Sequence, residues 1–296
     1  MADRAISRFA LGTVAAALLV PLAVPVAVAA PDTAPAAPAE QPPVAASDDA
    51  VGFVVLRENG TGSAAQAQRY LDSLVTNIAR INGWAAATGK YFTSRKKTEK
   101  HVAAVKPSFG FLSFGAYLGL RKAHGIEPVA IADAGASGGA QYFVISKNHV
   151  TVEDCKGKTL ATNHAADPHF IDAVVSADAF DLADFEVQPM RRPVQTLKAV
   201  INDEAECALV DDSQIVAATK VDGGAALRPV WSSSEFPAIV VVSFGSAPAE
   251  QAKSFRTNIE SICNGDGRAA CDAAGLVSPR SVSADAFAAQ QTAYDG

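Results

Sequence analysis

The stretch "GKTLATNHAADPHF" (157–170) crowds Asn163, His164, Asp167 and His169 into one short loop between an apolar run and a helical pattern. Two imidazoles and a carboxylate are suitable metal ligands. The same groups can belong to a catalytic apparatus, or form one jaw of a binding cleft. A plainer role is helix capping: Asp167 precedes Pro168, and Asp at the N-cap with Pro at the first helical position is a common helix start. The metal role is the weaker one. His164 and His169 lie in one loop without the spacing of a helical ligand pair, and His101, His124 and His149 are scattered. No metal and no cofactor is therefore expected. Capping is the main role expected of Asp167. His164 is the best candidate for ligand contact, and His169 falls in the first helical turn.

Other chemistry-bearing residues are more isolated. Arg57 follows an apolar run, where a guanidinium can grip a carboxylate or phosphate with two parallel hydrogen bonds; the plain alternative is a surface ion pair. "GASGG" (135–139) fits the G-x-S-x-G form of a nucleophile turn, but that motif needs a helix after it. Here "AQYFVIS" follows and reads as a strand, so the glycines read as a flexible turn. "SRKK" (94–97) reads as a solvated face, and Asn59-Gly60-Thr61 has the form of a glycosylation sequon. His164 with Asp211 is a conceivable acid–base pair that no motif supports, and the chain is not expected to be an enzyme.

These residues sit on an alternation of strands and helices. "VGFVVLREN" (51–59) is a strand entering a loop, and Ser63 caps a helix whose apolar positions run from Ala67 to Ile81. "KYFTS", "TEKHVAAV", "SFGFLSFGAYLGLRKAHG" and "EPVAIADA" continue the alternation, which implies a mainly parallel sheet. After "AQYFVISKN" (140–148) it restarts through "KTLAT", "DPHFIDAVVSAD", "FEVQPM", "RPVQTLKAVINDE", "ECALVDD" and "SQIVAATK". "FPAIVVVSFG" (236–245) is the most strand-like run, and two helices, "PAEQAKSFRTNIESIC" and "ADAFAAQQTAYD", close the chain. Two α/β halves joined by two long β segments make a bilobed protein with two hinge crossings. Lobe 1 is expected over 51–140 and 237–296, and lobe 2 over 141–236. Ligands of such sheets bind at the carboxyl ends of the strands, here between the lobes.

Composition agrees with a folded, exported chain. Of 296 residues, 49% are hydrophobic and 19% charged, a globular balance and not a disordered one. Residues 1–29 have Arg4 and Arg8, a long apolar run and a small-residue ending, the form of a signal peptide. Residues 30–50 are rich in Ala and Pro and are expected to form a flexible leader. The net charge of −6 makes a nucleic-acid partner unexpected, while leaving room for a small anion in a locally positive cleft. Four cysteines in an oxidising compartment suggest two disulfides. Cys263 and Cys271 are close in sequence and should pair, which leaves Cys155 with Cys207.

The order of "FGFLSFGAYLGL", "PVAIADA", "QYFVISK", "VEDCKGKTLAT", "LKAVINDEAECALVDDS" and "LRPVWSSSEFPAIVVV" resembles the periplasmic phosphate/phosphite/phosphonate-binding proteins of ABC importers, over roughly residues 52–294. The resemblance implies the type II periplasmic-binding-protein fold. It also implies a monomer that captures a small, phosphonate-like anion by hinge closure and hands it to a membrane ABC permease, in the periplasm or as a secreted protein. It places the cleft residues in four loops: Arg57, Asn59 and Thr61; Ser113 and Tyr117; Asn163, His164 and His169; and Asp211 with Ser213. Family members open the second-lobe helix with hydroxyl-rich residues, which together with helix N–H groups hold an anion. Here Asn163-His164-Ala165-Ala166-Asp167 replaces the hydroxyls and adds an acid. The alternative reading is a metal-binding, sensor or enzymatic variant of the same bilobed fold.

Overall fold

Apolar runs at the starts of the two halves form strands that are buried along their length, as sheets covered on both faces require. The computed structural model describes residues 50–58, 64–134 and 138–296. The expected signal peptide and leader, Ser63 and the sequon at 59–61 lie outside the described residues. The first half contributes β1 (Val51–Leu56), α1 (Ala64–Asn82), β2 (Ala87–Phe92), α2 (Arg95–Val105), β3 (Phe109–Leu112), α3 (Phe114–His124) and β4 (Glu127–Asp133). Then come β5 (Tyr142–Ser146), β6 (Thr159–Thr162), α4 (Pro168–Phe170, continued by a wider turn over Ile171–Val175), β7 (Glu186–Pro189), α5 (Pro193–Ile201), β8 (Cys207–Asp211), α6 (Asp212–Ala218) and β9 (Arg228–Ser232). The chain ends with β10 (Ile239–Ser243), α7 (Ala249–Asn258), α8 (Gly267–Ala274), β11 (Val277–Ser281) and α9 (Ala288–Asp295).

The strands form two sheets, ordered β11-β4-β10-β3-β1-β2 and β7-β6-β8-β5-β9. In the first, β1 runs parallel to β2 and β3, while β10 runs antiparallel between β3 and β4. In the second, β6 runs parallel to β7 and β8, while β5 runs antiparallel between β8 and β9. In the first sheet the edge strand β11 is also reversed, antiparallel to β4; in each sheet the strand that arrives from the other sheet, β10 in the first and β5 in the second, is reversed. The two long β segments expected as hinge crossings are these reversed strands. The crossings themselves fall just before them, between β4 and β5 and between β9 and β10.

Local sequence explains the element ends. Pro193 opens α5 at its first turn. Gly125 ends α3 with φ 58°, the left-handed conformation that glycine adopts at little cost. Two elements were not expected, α8 and the edge strand β11. The latter carries Pro279, which an edge position tolerates because no ladder bond is lost there.

Under the first sheet, Phe53, Trp84, Phe109 and Phe255 pack as an aromatic cluster; Trp84 stacks on Phe109 at 5.5 Å. A second core runs between the two sheets. It joins Leu112, Phe114 and Leu118 to Leu160, Phe170 and Leu209, so the halves share buried apolar surface. No helix among the described residues is long and apolar enough to cross a membrane.

Both expected disulfides are present, Cys155–Cys207 and Cys263–Cys271. The first ties β8 to the turn before β6 across 52 residues of sequence, so by loop-closure entropy it should contribute about 4 kcal/mol, against about 2.5 kcal/mol for the eight-residue loop. Reduction should therefore lower Tm in a thermal melt, and Cys155→Ala with Cys207→Ala should reproduce most of the drop. Thiol titration of the unfolded, unreduced chain should find no free thiol; four would overturn both pairs.

Candidate functional site

Parallel strands end where their following helices begin, and in both sheets those ends face one cleft. Its walls are Arg57 and Glu58 after β1, Arg95 at the start of α2, Ser113, Phe114 and Gly115 at the start of α3, and Gly138 and Gly139 before β5. Tyr142, His164, Ala166, Asp167, Phe170, Ile171, Asp211 and Ala238 complete them, around a volume of about 620 Å³ counted with its open mouth.

Two arginines occupy this cleft in opposite ways. Arg95 is saturated. It grips Glu58 with two bonds, Nε to Oε1 at 2.8 Å and Nη2 to Oε2 at 2.7 Å, and reaches Asp167 Oδ2 from Nη1 at 2.6 Å. Burial opposes its charge, but the bonded carboxylates outweigh burial and raise its pKa above the ordinary arginine value. Arg57 has no such partners: among the described residues its guanidinium makes no hydrogen bond or ion pair. Burial lowers its pKa, and Tyr91, Asp211, Tyr142 and Asp212 only partly offset that at a distance. It is a desolvated cation awaiting an anion.

Ser113 presents a second unmet group. It is the N-cap residue of α3, yet its side chain caps nothing, and its buried Oγ has no hydrogen-bond partner among the described residues. The first N–H groups of α3 open beside it, where a helix end favours negative charge. Asp211 contributes an acceptor. Its Oδ1 caps α6 through Gln214 N at 3.1 Å and accepts from Ser213 Oγ at 2.6 Å, while Oδ2 has His164 Nε2 at 3.9 Å. His164 is buried, bonded to Gln214 Oε1 at 3.1 Å and set edge-on to Tyr142. Burial raises the Tyr142 pKa, so the ring stays neutral.

Of the expected site residues, Arg57, Ser113, His164 and Asp211 line the cleft. Asn59 and Thr61 lie outside the described residues. Tyr117 does not line it: it is fully buried against Phe114 and Phe287, and its hydroxyl accepts from Gln291 Nε2 at 2.8 Å. One helical turn past Ser113, its side chain falls on the core face of α3. Asn163 turns inward, its Oδ1 accepting from Thr196 Oγ1 at 3.1 Å. His169 is exposed and meets Tyr294, with Nε2 2.6 Å from the Tyr294 carbonyl oxygen. Ser213 is occupied by Asp211 behind the wall. His164, Asp167 and His169 thus point to three different partners, and among the described residues no group of three such side chains is arranged to hold a metal ion.

Asp167 caps α4 as expected, accepting from Phe170 N at 3.1 Å, and also bonds Arg95 and the Tyr294 hydroxyl. Arg95 corrects the sequence reading of 94–97 as a solvated face, which holds for Lys96 and Lys97 alone. Its partners lie 37 and 72 residues away in sequence, so no local signal marked it. Asp212 was also missed. Its Oδ1 accepts from the backbone N–H groups of Gly139, Ala140 and Gln141 at 2.8, 3.0 and 3.3 Å, and so fixes the entry to β5. That residue 142 begins a strand and not a helix removes the context a G-x-S-x-G nucleophile needs.

Comparison with known proteins agrees with this geometry. A family model described as "ABC transporter, phosphonate, periplasmic substrate-binding protein" matches residues 61–287. No curated protein sequence matches. Among solved structures, XAC2383 from Xanthomonas citri bound to chloride ion is similar at TM-score 0.67 and 10% identity, covering 84% of this chain and 97% of its own. PhnD1 from Prochlorococcus marinus in complex with methylphosphonate is similar at TM-score 0.61 and 7% identity, covering 83% and 97%. The periplasmic aliphatic sulphonate binding protein SsuA from Escherichia coli is similar at TM-score 0.56 and 10% identity, covering 84% and 86%. At these identities the likeness establishes the fold, that of type II periplasmic binding proteins.

Because the Ser113 hydroxyl is buried and unmet, Ser113→Ala should leave Tm unchanged or raise it, by up to about 1 kcal/mol of stability in calorimetry. A loss of more than that would mean the hydroxyl has a structural partner.

Proposed function

The chain belongs to the family of periplasmic substrate-binding proteins of phosphonate ABC transporters, and from that premise we propose that it captures a small, singly protonated oxyanion, of which a short alkylphosphonate is the type. The observation that carries the reading is the set of groups that face one another in the cleft: the Arg57 guanidinium and the Ser113 hydroxyl, without hydrogen-bond partners among the described residues, and Asp211 Oδ2, which has His164 Nε2 at 3.9 Å. A cation, a donor and an acceptor ask for one ligand that has negative charge and also carries a hydrogen. A P–O⁻ group answers Arg57, Ser113 and the first N–H groups of α3. A P–OH group answers Asp211, which would repel a fully ionised ligand. Phe114, Phe170 and Ile171 supply an apolar wall for a short alkyl substituent.

The two sides of the site come from different sheets, Arg57 and Ser113 from the first and His164 and Asp211 from the second. The ligand therefore stabilises the closed arrangement over the open one, which is what closure by a ligand requires. Delivery to an ABC permease, from a monomer in the periplasm, is the role this capture serves. PhnD1, whose fold this chain shares, binds methylphosphonate.

Calorimetric titration with methylphosphonate, phosphite and methanesulfonate tests the reading. Methylphosphonate should bind, and at a hundred times its Kd it should stabilise the protein by about 2.7 kcal/mol. Its affinity should fall as pH rises and the ligand loses its last proton. Methanesulfonate, which has no such proton, should bind more weakly at every pH. Arg57→Gln should weaken methylphosphonate binding about 100-fold without lowering the ligand-free Tm. Equal affinity for the sulfonate would remove Asp211 as a ligand acceptor, and no binding of any oxyanion would remove the reading.

A further inference from the structure

Asp167 sits on the second-sheet side of the cleft, and everything that grips it sits on the first. Arg95 opens α2, already clamped by Glu58 at the end of β1. Tyr294 belongs to α9, and its hydroxyl lies 3.0 Å from the same Asp167 Oδ2 that Arg95 holds. One residue pair further on, His169 bonds the Tyr294 carbonyl oxygen. The helix α9 is itself fixed to the first side: Arg121, buried in α3, pairs with Asp295 and donates to the Gln291 carbonyl at 3.1 Å, and Gln291 bonds the Tyr117 hydroxyl. Gly119 makes the reach possible. A Cβ there would collide with the Arg95 guanidinium where it crosses α3 toward Asp167.

From this we propose that Arg95, Asp167 and Tyr294 form a latch that holds the two sides of the cleft together independently of solute, with the C-terminal helix as its strap. Every bond in it is protein to protein, so the latch contributes to closure whether or not the seat at Arg57 is filled. Asp167 and Arg95 are about one-fifth exposed or less, which limits screening by solvent. The latch raises the population of the closed arrangement, and apparent affinity scales with that population. It thereby acts mainly on how long a solute is retained.

The test uses the full chain and needs no solute. All described cysteines are in disulfides, so thiols added by Lys100→Cys on α2 and Lys198→Cys on α5 can carry spin labels selectively. The distance distribution between them should be mainly short in the parent. Asp167→Asn keeps the helix cap, because Asn caps as well as Asp, but loses the ion pair; it should shift the closed-to-open ratio at least about ten-fold toward longer distances. Tyr294→Phe, outside the cleft wall, should shift it in the same direction by less, and Gly119→Ala should do so by displacing Arg95. A parent that is mainly long, or three variants that match the parent while melting normally, would overturn the latch. Adding methylphosphonate afterwards reports separately on the solute reading. If that reading holds, dissociation should speed up in Tyr294→Phe, which touches no ligand, and an unchanged rate there would also count against the latch.

Discussion

A half-buried charge without a partner among the described residues is the constraint on which the rest of this structure turns. Arg57 has lost part of its hydration at the end of β1, and no described side chain bonds it in compensation. Such a group destabilises the fold that holds it, so the surrounding framework must over-determine its position. It does so with buried strands on either side of β1, an aromatic cluster beneath them and a disulfide in each half. The cost is retained in the free protein, and under the proposed anion seat it is recovered on binding, so that Arg57 would be a source of affinity and not of stability.

Arg95 explains why Arg57 stays unpaired. The cleft contains carboxylates from Glu58, Asp167 and Asp211, any of which could migrate to an idle guanidinium. Glu58 and Asp167 are taken by Arg95 with charge-assisted bonds of 2.6–2.8 Å, and Asp211 is tied down by its cap and by Ser213. The sequence places two arginines after neighbouring parallel strands, and the fold gives them opposite tasks: one consumes the local acids so that the other remains available.

The alternation of elements was legible because its signals are local: apolar runs, Pro193 and Gly125. The inter-sheet cleft wall was legible only at strand ends, which is where Arg57, Ser113, His164 and Asp211, named from the sequence, line it. Tyr117 and His169, named for the same reason, do not line it. Each lies within a few residues of a true wall position, but helical rotation carries one into the core and the other toward α9. Arg95 was hidden in a basic run whose other members are solvated; nothing local distinguishes it from Lys96. Its partners are 37, 72 and 199 residues away. The edge strand β11 was hidden by Pro279, and α8 by a Gly-rich, polar surround with no apolar run.

The division of labour between the arginines has a consequence for selectivity. Counted over the cleft wall, Arg57 and Arg95 face Glu58, Asp167 and Asp211, so the walls carry more negative charge than positive. A binder built on positive potential alone would favour the most highly charged anion available. With a ligand seated as proposed, this cleft would differ, because each further negative charge on the ligand would meet Asp211 after Arg57 has been used. With the proposed seat, discrimination would rest on a hydrogen the ligand must bring, and a site with buried groups needing a specific hydrogen rejects analogues lacking it far more strongly than an apolar pocket rejects a missing methylene. On that arrangement an acidic chain selects an anion by recognising its charge once and letting its proton decide between candidates of similar size.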